Sequence, residues 1–291
     1  MRFPLLFGLA GCCLVATARA QNDNLPPAPA PLHVLSFNLR YDNPGDGPNA
    51  WSHRREQVAA VFTEHAVDLA GLQEALANQI DDLRRLRPEY DFVGVGREDG
   101  RRQGEFSPIF YRRDRFSCEK QGTFWLSPTP ETIGSKGWDA ALARIATWGV
   151  FRDRQTSREL FFVNTHFDHR GEEARRQSAR LLLERIAALA GDRPVIVSGD
   201  FNTQEDSPAL HRLTAEGGGF KLTNSERVSQ TPHVGGQDTF NGFGQETRDS
   251  VIDFVSVGPG VDVRTHGYYP AIKDGVYVSD HWPVVCELSL R

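Results

Sequence analysis

The sequence predicts an α/β fold in which two β-sheets pack face to face, with helices on their outer surfaces. Two observations lead to this prediction. Short apolar runs rich in β-branched residues alternate with longer segments of helical periodicity, and this rhythm occurs twice, in residues 33–151 and in residues 159–290. The chain has 291 residues, of which 39% are hydrophobic, enough to build the core of one large domain.

The predicted strands end in polar side chains. The apolar run at residues 195–199 leads directly into Asp200 and Asn202, and two earlier runs end at Asn38 and Glu74. Taken singly, each residue has an ordinary explanation as an Asx turn or a solvated carboxylate. Taken together they suggest a functional site, because α/β proteins place their chemistry in the loops at strand ends.

Three segments predict helices. Residues 51–64 place Val58 and Phe62 on one face, residues 171–190 combine an apolar face with a charged one, and a further helix is expected near residues 79–86. The remaining strands are expected at residues 90–95, 107–111, 124–127, 144–151, 159–165, 250–257 and 282–290.

Residues 1–20 have the pattern of a secretory signal peptide. Arg2 supplies the positive end, residues 5–15 form the apolar core, and residues 18–20 are suited to cleavage. Its removal would take two arginines and change the formal net charge from −5 to −7. We therefore expect a secreted or periplasmic protein, with a lipoprotein anchor at Cys12 as the less favoured alternative.

The mature chain is expected to begin with a flexible leader. Residues 21–31 are rich in proline and alanine, and residues 32–291 form the folded domain. Beyond the N-terminus no apolar run is long enough to span a membrane. Two cysteines remain, Cys118 and Cys286, and the sequence fits one disulfide or two free thiols equally well.

The polar residues at strand ends share one chemistry. Several carboxylates that converge on one site repel each other unless a cation is bound, and oxygen donors suit a hard ion such as Mg²⁺, with Mn²⁺ as a substitute. The sequence has no HExxH motif and no cysteine cluster, which argues against a zinc protease or a structural zinc site. The set consists of Asn38, Glu74, His166, Asp200, Asn202, Asp253, Asp280 and His281.

Six motifs in this order resemble the endonuclease/exonuclease/phosphatase family, whose members include DNase I-like nucleases and phosphatases. The resemblance spans about residues 32–290 and implies a four-layer α/β sandwich with two central mixed β-sheets. It also implies a metal-dependent phosphoric ester hydrolase in which an activated water attacks phosphorus directly. The motifs are Phe37-Asn38, Leu72-Gln73-Glu74, Asn164-Thr165-His166, Gly199-Asp200-Phe201-Asn202, Ile252-Asp253-Phe254 and Ser279-Asp280-His281-Trp282-Pro283.

The resemblance implies a role for each residue on the metal and water side. Glu74 is the principal Mg²⁺ ligand, and Asn38 and Asp280 complete or support the metal site. Asp200 orients and polarises the attacking water, while Asn202 helps to position it and the phosphate.

On the phosphate side, the resemblance implies that His281, held by Asp253, contacts the phosphoryl oxygens. His166 does the same from the second half of the chain, and Arg144 matches a phosphate-binding arginine. Tyr111 matches a tyrosine that some members use near the leaving group. Whether the histidine at 281 or the water-orienting aspartate accepts the proton of the water stays open at this stage.

Family membership defines the bond that is cleaved better than it defines the substrate. A nuclease is expected to carry a basic track for the phosphate backbone, whereas the mature chain is acidic. The sequence therefore favours a phosphodiester or phosphomonoester that is not nucleic acid, with a secreted nuclease as the alternative. A non-catalytic binding module is disfavoured because none of the acidic and histidine positions is lost. We expect a monomer.

Overall fold

The computed structural model describes residues 31–214, 220–245 and 250–291. The predicted signal peptide, Cys12 and nearly all of the predicted leader lie outside the described residues. None of the helices in the described part of the chain combines the length and the apolar character that a membrane crossing requires.

The described ranges contain four α-helices and fifteen β-strands. The helices are α1 (Trp51–Glu64), α2 (Ala77–Leu86), α3 (Glu172–Leu189) and α4 (Pro208–Thr214). The strands are β1 (Leu32–Asn38), β2 (Leu69–Gln73), β3 (Tyr90–Val93), β4 (Ile109–Arg112), β5 (Phe116–Trp125), β6 (Ile145–Asp153), β7 (Glu159–His166), β8 (Val195–Asp200), β9 (Thr223–Asn224), β10 (Val234–Gly235), β11 (Asp253–Val257), β12 (Val261–Tyr268), β13 (Ile272–Lys273), β14 (Val276–Tyr277) and β15 (Val284–Leu290).

Two mixed sheets form the centre of the domain. One has seven strands in the order β10-β12-β15-β1-β2-β4-β3, and the other has six in the order β5-β6-β7-β8-β11-β9. In the first sheet β1 is parallel to β2 and antiparallel to β15, and in the second β7 is parallel to β8. The predicted α/β sandwich with two central mixed sheets is confirmed.

Three apolar layers separate four layers of secondary structure. Between the sheets, Val34 and Leu69 from one sheet pack with Phe162 and Ile196 from the other, and all four side chains are fully buried. The cluster that contains Phe62 of α1 covers the outer face of the seven-stranded sheet, and α3 covers the six-stranded sheet. Burial of one such side chain contributes about 1.5–3 kcal/mol to stability.

One buried asparagine ties the two sheets together near the site. The Asn164 amide donates to the Leu72 carbonyl (2.6 Å) and accepts from Gln73 Nε2 (2.7 Å) and from the Ser198 hydroxyl (3.0 Å). A Cβ at Gly71 would lie 2.0 Å from the Ser198 hydroxyl, so this close approach requires glycine. The carboxyl ends of β2, β7 and β8 are thereby held at fixed separations.

The two halves of the sequence do not correspond to the two sheets. After β11 the chain leaves the six-stranded sheet, and β12 and β15 join the seven-stranded one beside β1. The sequence did not predict β12, because its half-buried polar residues (Asp262 and Arg264) interrupt the apolar run that signals a central strand. Cys118 and Cys286 lie in different sheets, and both are free thiols.

Candidate active site

The candidate site lies where strand ends of both sheets meet. Asn38 ends β1 and Glu74 directly follows β2, its parallel neighbour. In the other sheet Asp200, at the end of β8, pairs in register with Asp253, the first residue of β11. The loop before β15 then brings His281 beside the end of β1. Return of the last strand to the first sheet therefore completes the site.

Asn38 connects the carboxylates of the two sheets. Its Nδ2 donates to Glu74 Oε1 (3.2 Å) and to Asp200 Oδ2 (2.9 Å), and its Oδ1 accepts from the backbone N–H of Arg40 (2.9 Å). The other Glu74 oxygen accepts from the backbone N–H of Tyr41 (3.1 Å). With its oxygen turned to the backbone, Asn38 acts on the carboxylates as a donor that orients them.

Three residues of the site adopt left-handed backbone conformations. The φ angles are 55° at Arg40, 59° at Glu74 and 50° at Asn202. Such conformations cost a non-glycine residue about 1–3 kcal/mol and persist only where the surrounding contacts impose them. The side chains of Glu74 and Asn202 are thus aimed by tertiary contacts rather than by local preference.

Asp280 is the second carboxylate beside Glu74. Burial raises the pKa of Asp280, and the nearby charge of Glu74 raises it further, whereas Arg40, whose Nε lies 3.8 Å from Asp280 Oδ2, acts in the opposite direction. The Arg40 guanidinium is itself held by two 3.0 Å hydrogen bonds to Asp46. The charges of His281 and Arg54 also lower the pKa of Asp280, so burial and Glu74 outweigh three nearby cations.

A buried arginine that sequence reasoning missed holds the backbone beneath this pair. Arg54 on α1 is fully buried and donates to the carbonyls of Leu39, Arg40 (2.7 Å), Asn49 (2.8 Å) and Val278 (3.2 Å). Burial lowers its pKa to about 10. It joins the loop after β1 to the segment that leads to Asp280, so it positions both.

His281 is paired with a buried carboxylate. Its Nδ1 lies 2.8 Å from Asp253 Oδ2, and its Nε2 lies 3.8 Å from Asp200 Oδ2. Burial alone would lower the pKa of His281, but the charge and hydrogen bond of Asp253, with the charge of Asp200, raise the pKa to about 10. His281 is therefore an imidazolium at neutral pH, with Nε2–H directed toward Asp200.

His166 has the opposite surroundings. Arg144 Nη1 lies 2.8 Å from His166 Nδ1, and because an arginine can only donate, this nitrogen accepts. Burial, followed by the charge of Arg144, holds the pKa of His166 well below its usual value. The neutral ring turns Nε2 toward Asp200 Oδ2, at 3.4 Å.

Asn202 lies against the same carboxylate. Its backbone N–H donates to Asp200 Oδ1 (2.9 Å), and its side-chain amide donates to the Phe167 carbonyl (3.0 Å) and lies 2.9 Å from His166 Nε2. Burial and the charge of Asp253 raise the pKa of Asp200 to about 7. The structure thus gathers on one carboxylate every catalytic residue that the sequence predicted.

Comparison with known proteins identifies this arrangement. A model of the Endonuclease/Exonuclease/phosphatase family matches residues 35–281. The chain belongs to this family. Its members are phosphoric ester hydrolases that depend on a divalent metal, and the chain is accordingly an enzyme of that class.

Individual relatives are similar over nearly the whole chain. An endonuclease/exonuclease/phosphatase structure from Bacteroides vulgatus is 40% identical, with a TM-score of 0.86, and covers 90% of this chain and 100% of its own. A mannosyl-6-phosphatase from Bacteroides thetaiotaomicron is 36% identical, with a TM-score of 0.82, and covers 89% and 100%. A protein of Acanthamoeba polyphaga mimivirus is 28% identical over 81% of this chain and 91% of its own length.

The donor set beside Asp280 fits the metal on which the family depends. Glu74 and Asp280 offer carboxylate oxygens, the ligands that a hard divalent cation prefers. Burial is the main cause of the raised pKa values of Asp280 and Asp200, and the neighbouring carboxylates Glu74 and Asp253 add to it. A divalent cation between Glu74 and Asp280 would relieve this repulsion, with Asn38 as the supporting residue.

Glu105 is a member of the site that sequence reasoning missed. Its Oε2 lies 2.6 Å from Arg97 Nη1, 3.6 Å from Arg144 Nη1 and 3.9 Å from His166 Nδ1. Burial raises its pKa, followed by the charge of Glu74. In the sequence, a glutamate after a loop glycine gives no sign that it will pair with an arginine 39 residues away.

Tyr111 does not lie in the site, which corrects the role carried over from the family. It pairs with Leu69 on the antiparallel strand β2, and Leu69 precedes Glu74 by five residues, roughly 16 Å of extended chain. Its ring packs against Phe151, with centroids 5.2 Å apart, and burial raises its pKa to about 12. Because β4 runs antiparallel to β2, the residues of β4 after Ile109 lie farther and farther from the end of β2 that leads to Glu74.

Proposed function

We propose that this enzyme is an exported, Mg²⁺-dependent phosphatase that hydrolyses small phosphate esters by direct attack of a water molecule, with phosphorylated sugars as its first candidate substrates. The observation that carries the chemistry is the position of Asp200, whose Oδ2 faces Asn38 Nδ2, His166 Nε2 and His281 Nε2. Export rests on the signal pattern of residues 1–20 and is tested by fractionating cells that express the full chain.

Hydrolysis of a phosphate ester requires stabilisation of charge on the phosphoryl and leaving oxygens. Glu74 and Asp280 would hold Mg²⁺, which would supply a Lewis acid for this charge. The His281 imidazolium donates Nε2–H to a phosphoryl oxygen, and Asp253 keeps the ring charged and oriented. Arg144 adds a buried cation whose Nε has no hydrogen-bond partner among the described residues, a donor that a phosphate oxygen can satisfy.

Asp200 is the group we assign to accept the proton of the attacking water. A histidine held as an imidazolium by Asp253 has no lone pair for that proton, whereas Asp200 has a pKa near neutrality. Its second oxygen, held by the backbone N–H of Asn202, fixes the direction of the carboxylate. Of the two candidate bases that the sequence leaves open, Asp200 and His281, we therefore propose Asp200.

Two observations favour a small ester over nucleic acid. The structure with 36% identity is named as a mannosyl-6-phosphatase. In addition, four Arg-Arg dipeptides could contribute to a basic surface for a phosphate backbone, but one arginine of each forms an ion pair with a nearby carboxylate. These ion pairs are Arg85–Asp82, Arg102–Asp81, Arg112–Asp114 and Arg176–Glu173.

The test is a substrate panel with purified chain in Mg²⁺ or Mn²⁺: mannose 6-phosphate, a phosphomannosylated glycan, bis-(p-nitrophenyl) phosphate and plasmid DNA. We expect the sugar phosphates to have the highest kcat/KM and chelation by EDTA to abolish turnover, with Asp200→Asn as the control for contaminating phosphatase. Activity that survives exhaustive chelation would overturn the metal-dependent mechanism. Cleavage of DNA far faster than of every small ester, with the steep salt dependence of backbone binding, would overturn the substrate class.

A further inference from the structure

A second group of potential metal ligands lies on β12 of the seven-stranded sheet and in the two segments that pack beside it. Glu226, His233 and His266 each bring one ligand atom to within 4.8 Å of the others. His266 is a buried residue of β12, His233 directly precedes β10, and Glu226 lies in the short 3-10 turn Ser225–Val228. The parallel pairing of β10 with β12 is what places the two rings side by side.

The hydrogen bond of His233 defines which of its nitrogens is available. Its Nε2 lies 2.7 Å from the Gly236 carbonyl, which can only accept, so Nε2 carries the proton. The lone pair of Nδ1 then faces His266 Nδ1 at 3.1 Å and Glu226 Oε1 at 3.7 Å. Histidines that bind metals characteristically donate their other N–H to a carbonyl or carboxylate in this way.

Glu226 is oriented by its own partners. The Tyr268 hydroxyl donates to Glu226 Oε2 (2.9 Å), which leaves Oε1 as the oxygen nearest His233. Asn224 accepts from the Glu226 backbone N–H (3.1 Å) and fixes the turn.

The spacing of these donors matches a tetrahedral ion. Zinc ligands at their usual bond lengths lie about 3.3 Å from one another, and the separations from His233 Nδ1 are 3.1 Å and 3.7 Å. The competing explanation is a simple hydrogen bond from His266 Nδ1–H to His233 Nδ1. That bond accounts for the two rings. The tyrosine-oriented carboxylate directed at the same nitrogen needs a positive charge there, which either a protonated His233 or a metal ion supplies.

We propose that Glu226, His233 and His266 bind a divalent transition-metal ion of the zinc type, distinct from the ion held at Glu74 and Asp280. Two imidazole nitrogens favour zinc over magnesium, whereas the oxygen donors of the active site have the opposite preference. The fourth coordination position is left to water, because Glu226 and His233 are partly exposed.

The position of this ion suggests a structural role. The segment that begins at His233 ends on the catalytic residues: the Thr239 hydroxyl accepts the backbone N–H of Asp253 (3.1 Å), and the Phe240 ring lies 5.0 Å from that of His281. An ion at His233 would tether the start of this segment and reduce the freedom of its catalytic end.

The test uses the untagged chain in the Glu74→Gln background, which removes the principal active-site ligand. After dialysis against micromolar zinc, metal analysis should find one zinc per chain. His233→Asn in that background should weaken zinc binding by more than about tenfold, and Glu226→Gln should weaken it less. The matched control is His211→Asn, which changes an exposed histidine on α4 and should leave one zinc bound.

Cobalt gives a second measurement that does not depend on activity. Cobalt bound to the Glu74→Gln chain should show the visible absorption of tetrahedral coordination, and the band should vanish in Glu74→Gln/His233→Asn, with folding checked by circular dichroism. Zinc should also raise Tm in the first chain and not in the second. Absence of zinc from the folded Glu74→Gln chain, or zinc retained equally in the His233→Asn variant, would overturn the proposal.

Discussion

The two histidines of the active site flank one carboxylate and differ in charge, because His281 is an imidazolium and His166 is neutral. His281 and His166 both approach Asp200 Oδ2, at 3.8 Å and 3.4 Å, and both side chains are 5% exposed. Burial lowers the pKa of both rings, so it does not explain the difference between them. The partner on the far side of each ring does: Asp253 outweighs burial and holds His281 as an imidazolium, whereas the charge of Arg144 adds to burial and keeps His166 neutral. The same residue type thus supplies a charged phosphate donor on one side of Asp200 and a neutral positioning group on the other.

The largest effect is expected when the shared carboxylate is altered. Asp200→Asn keeps the size of the side chain but removes the group proposed to take the proton of the water. We expect kcat to fall by roughly 10²–10⁴-fold, the usual contribution of general-base catalysis. Steady-state kinetics measure it, with circular dichroism as the check on folding. A variant that retains more than about a tenth of wild-type kcat would exclude Asp200 as the base.

Removal of the charged histidine should have the next largest effect. His281→Ala deletes a preorganised donor to the phosphoryl group, and loss of one such donor lowers kcat by roughly 10²–10³-fold. His166→Ala provides the comparison, and we expect a smaller loss because its neutral ring carries no charge to stabilise the transition state. Equal losses in the two variants would show that the difference in charge has no catalytic consequence.

Asp253→Asn should make the ring of His281 neutral at lower pH, so that its charge resembles that of His166. With Asp253 present, the imidazolium persists until the pH rises through its pKa of about 10. Without that charge the pKa falls, so the imidazolium is lost at lower pH. We expect kcat near that of wild type at about pH 6 and a value approaching that of His281→Ala at about pH 9. A pH–rate profile measures this, and an unshifted alkaline limb would contradict the account.

The smallest effect is expected at Tyr111, which lies away from both His281 and His166. Tyr111→Phe should leave kcat and KM at wild-type values within error, because the ring packs on Phe151 away from the strand ends that form the site. The assay is steady-state kinetics on the best substrate of the panel. A large fall in kcat would restore the leaving-group role that the family resemblance suggested.

The sequence predicts which polar residues end the strands. It predicts less well the contacts that set the charge and orientation of those residues. Asn38, Glu74 and Asp200 could be identified because an apolar run that stops at a polar residue marks both the strand and its catalytic end. The partners of Arg144 could not be identified, because Glu105 comes from a loop whose position only the folded chain defines.

The same limit applies to the histidine cluster on β12. The sequence argued against structural zinc because it has no compact metal motif, yet Glu226 and His266 are 40 residues apart and meet only in the folded chain, where strand pairing places His233 beside His266. Because the sequence did not predict β12, it could not show that His266 would lie beside His233. Local patterns report local structure, whereas a site built by a strand that returns to an earlier sheet depends on topology.

The most direct test of the account is a comparison of Mn²⁺ affinity with kcat in Glu74→Gln and His281→Ala. If the acidic pair binds the metal and the charged histidine acts on the phosphate, Glu74→Gln should bind Mn²⁺ more than about tenfold more weakly and recover part of its activity at high Mn²⁺. His281→Ala should bind Mn²⁺ as wild type does and lose kcat by roughly 10²–10³-fold without recovery. Loss of Mn²⁺ binding in His281→Ala and its retention in Glu74→Gln would reverse the two roles and contradict the account.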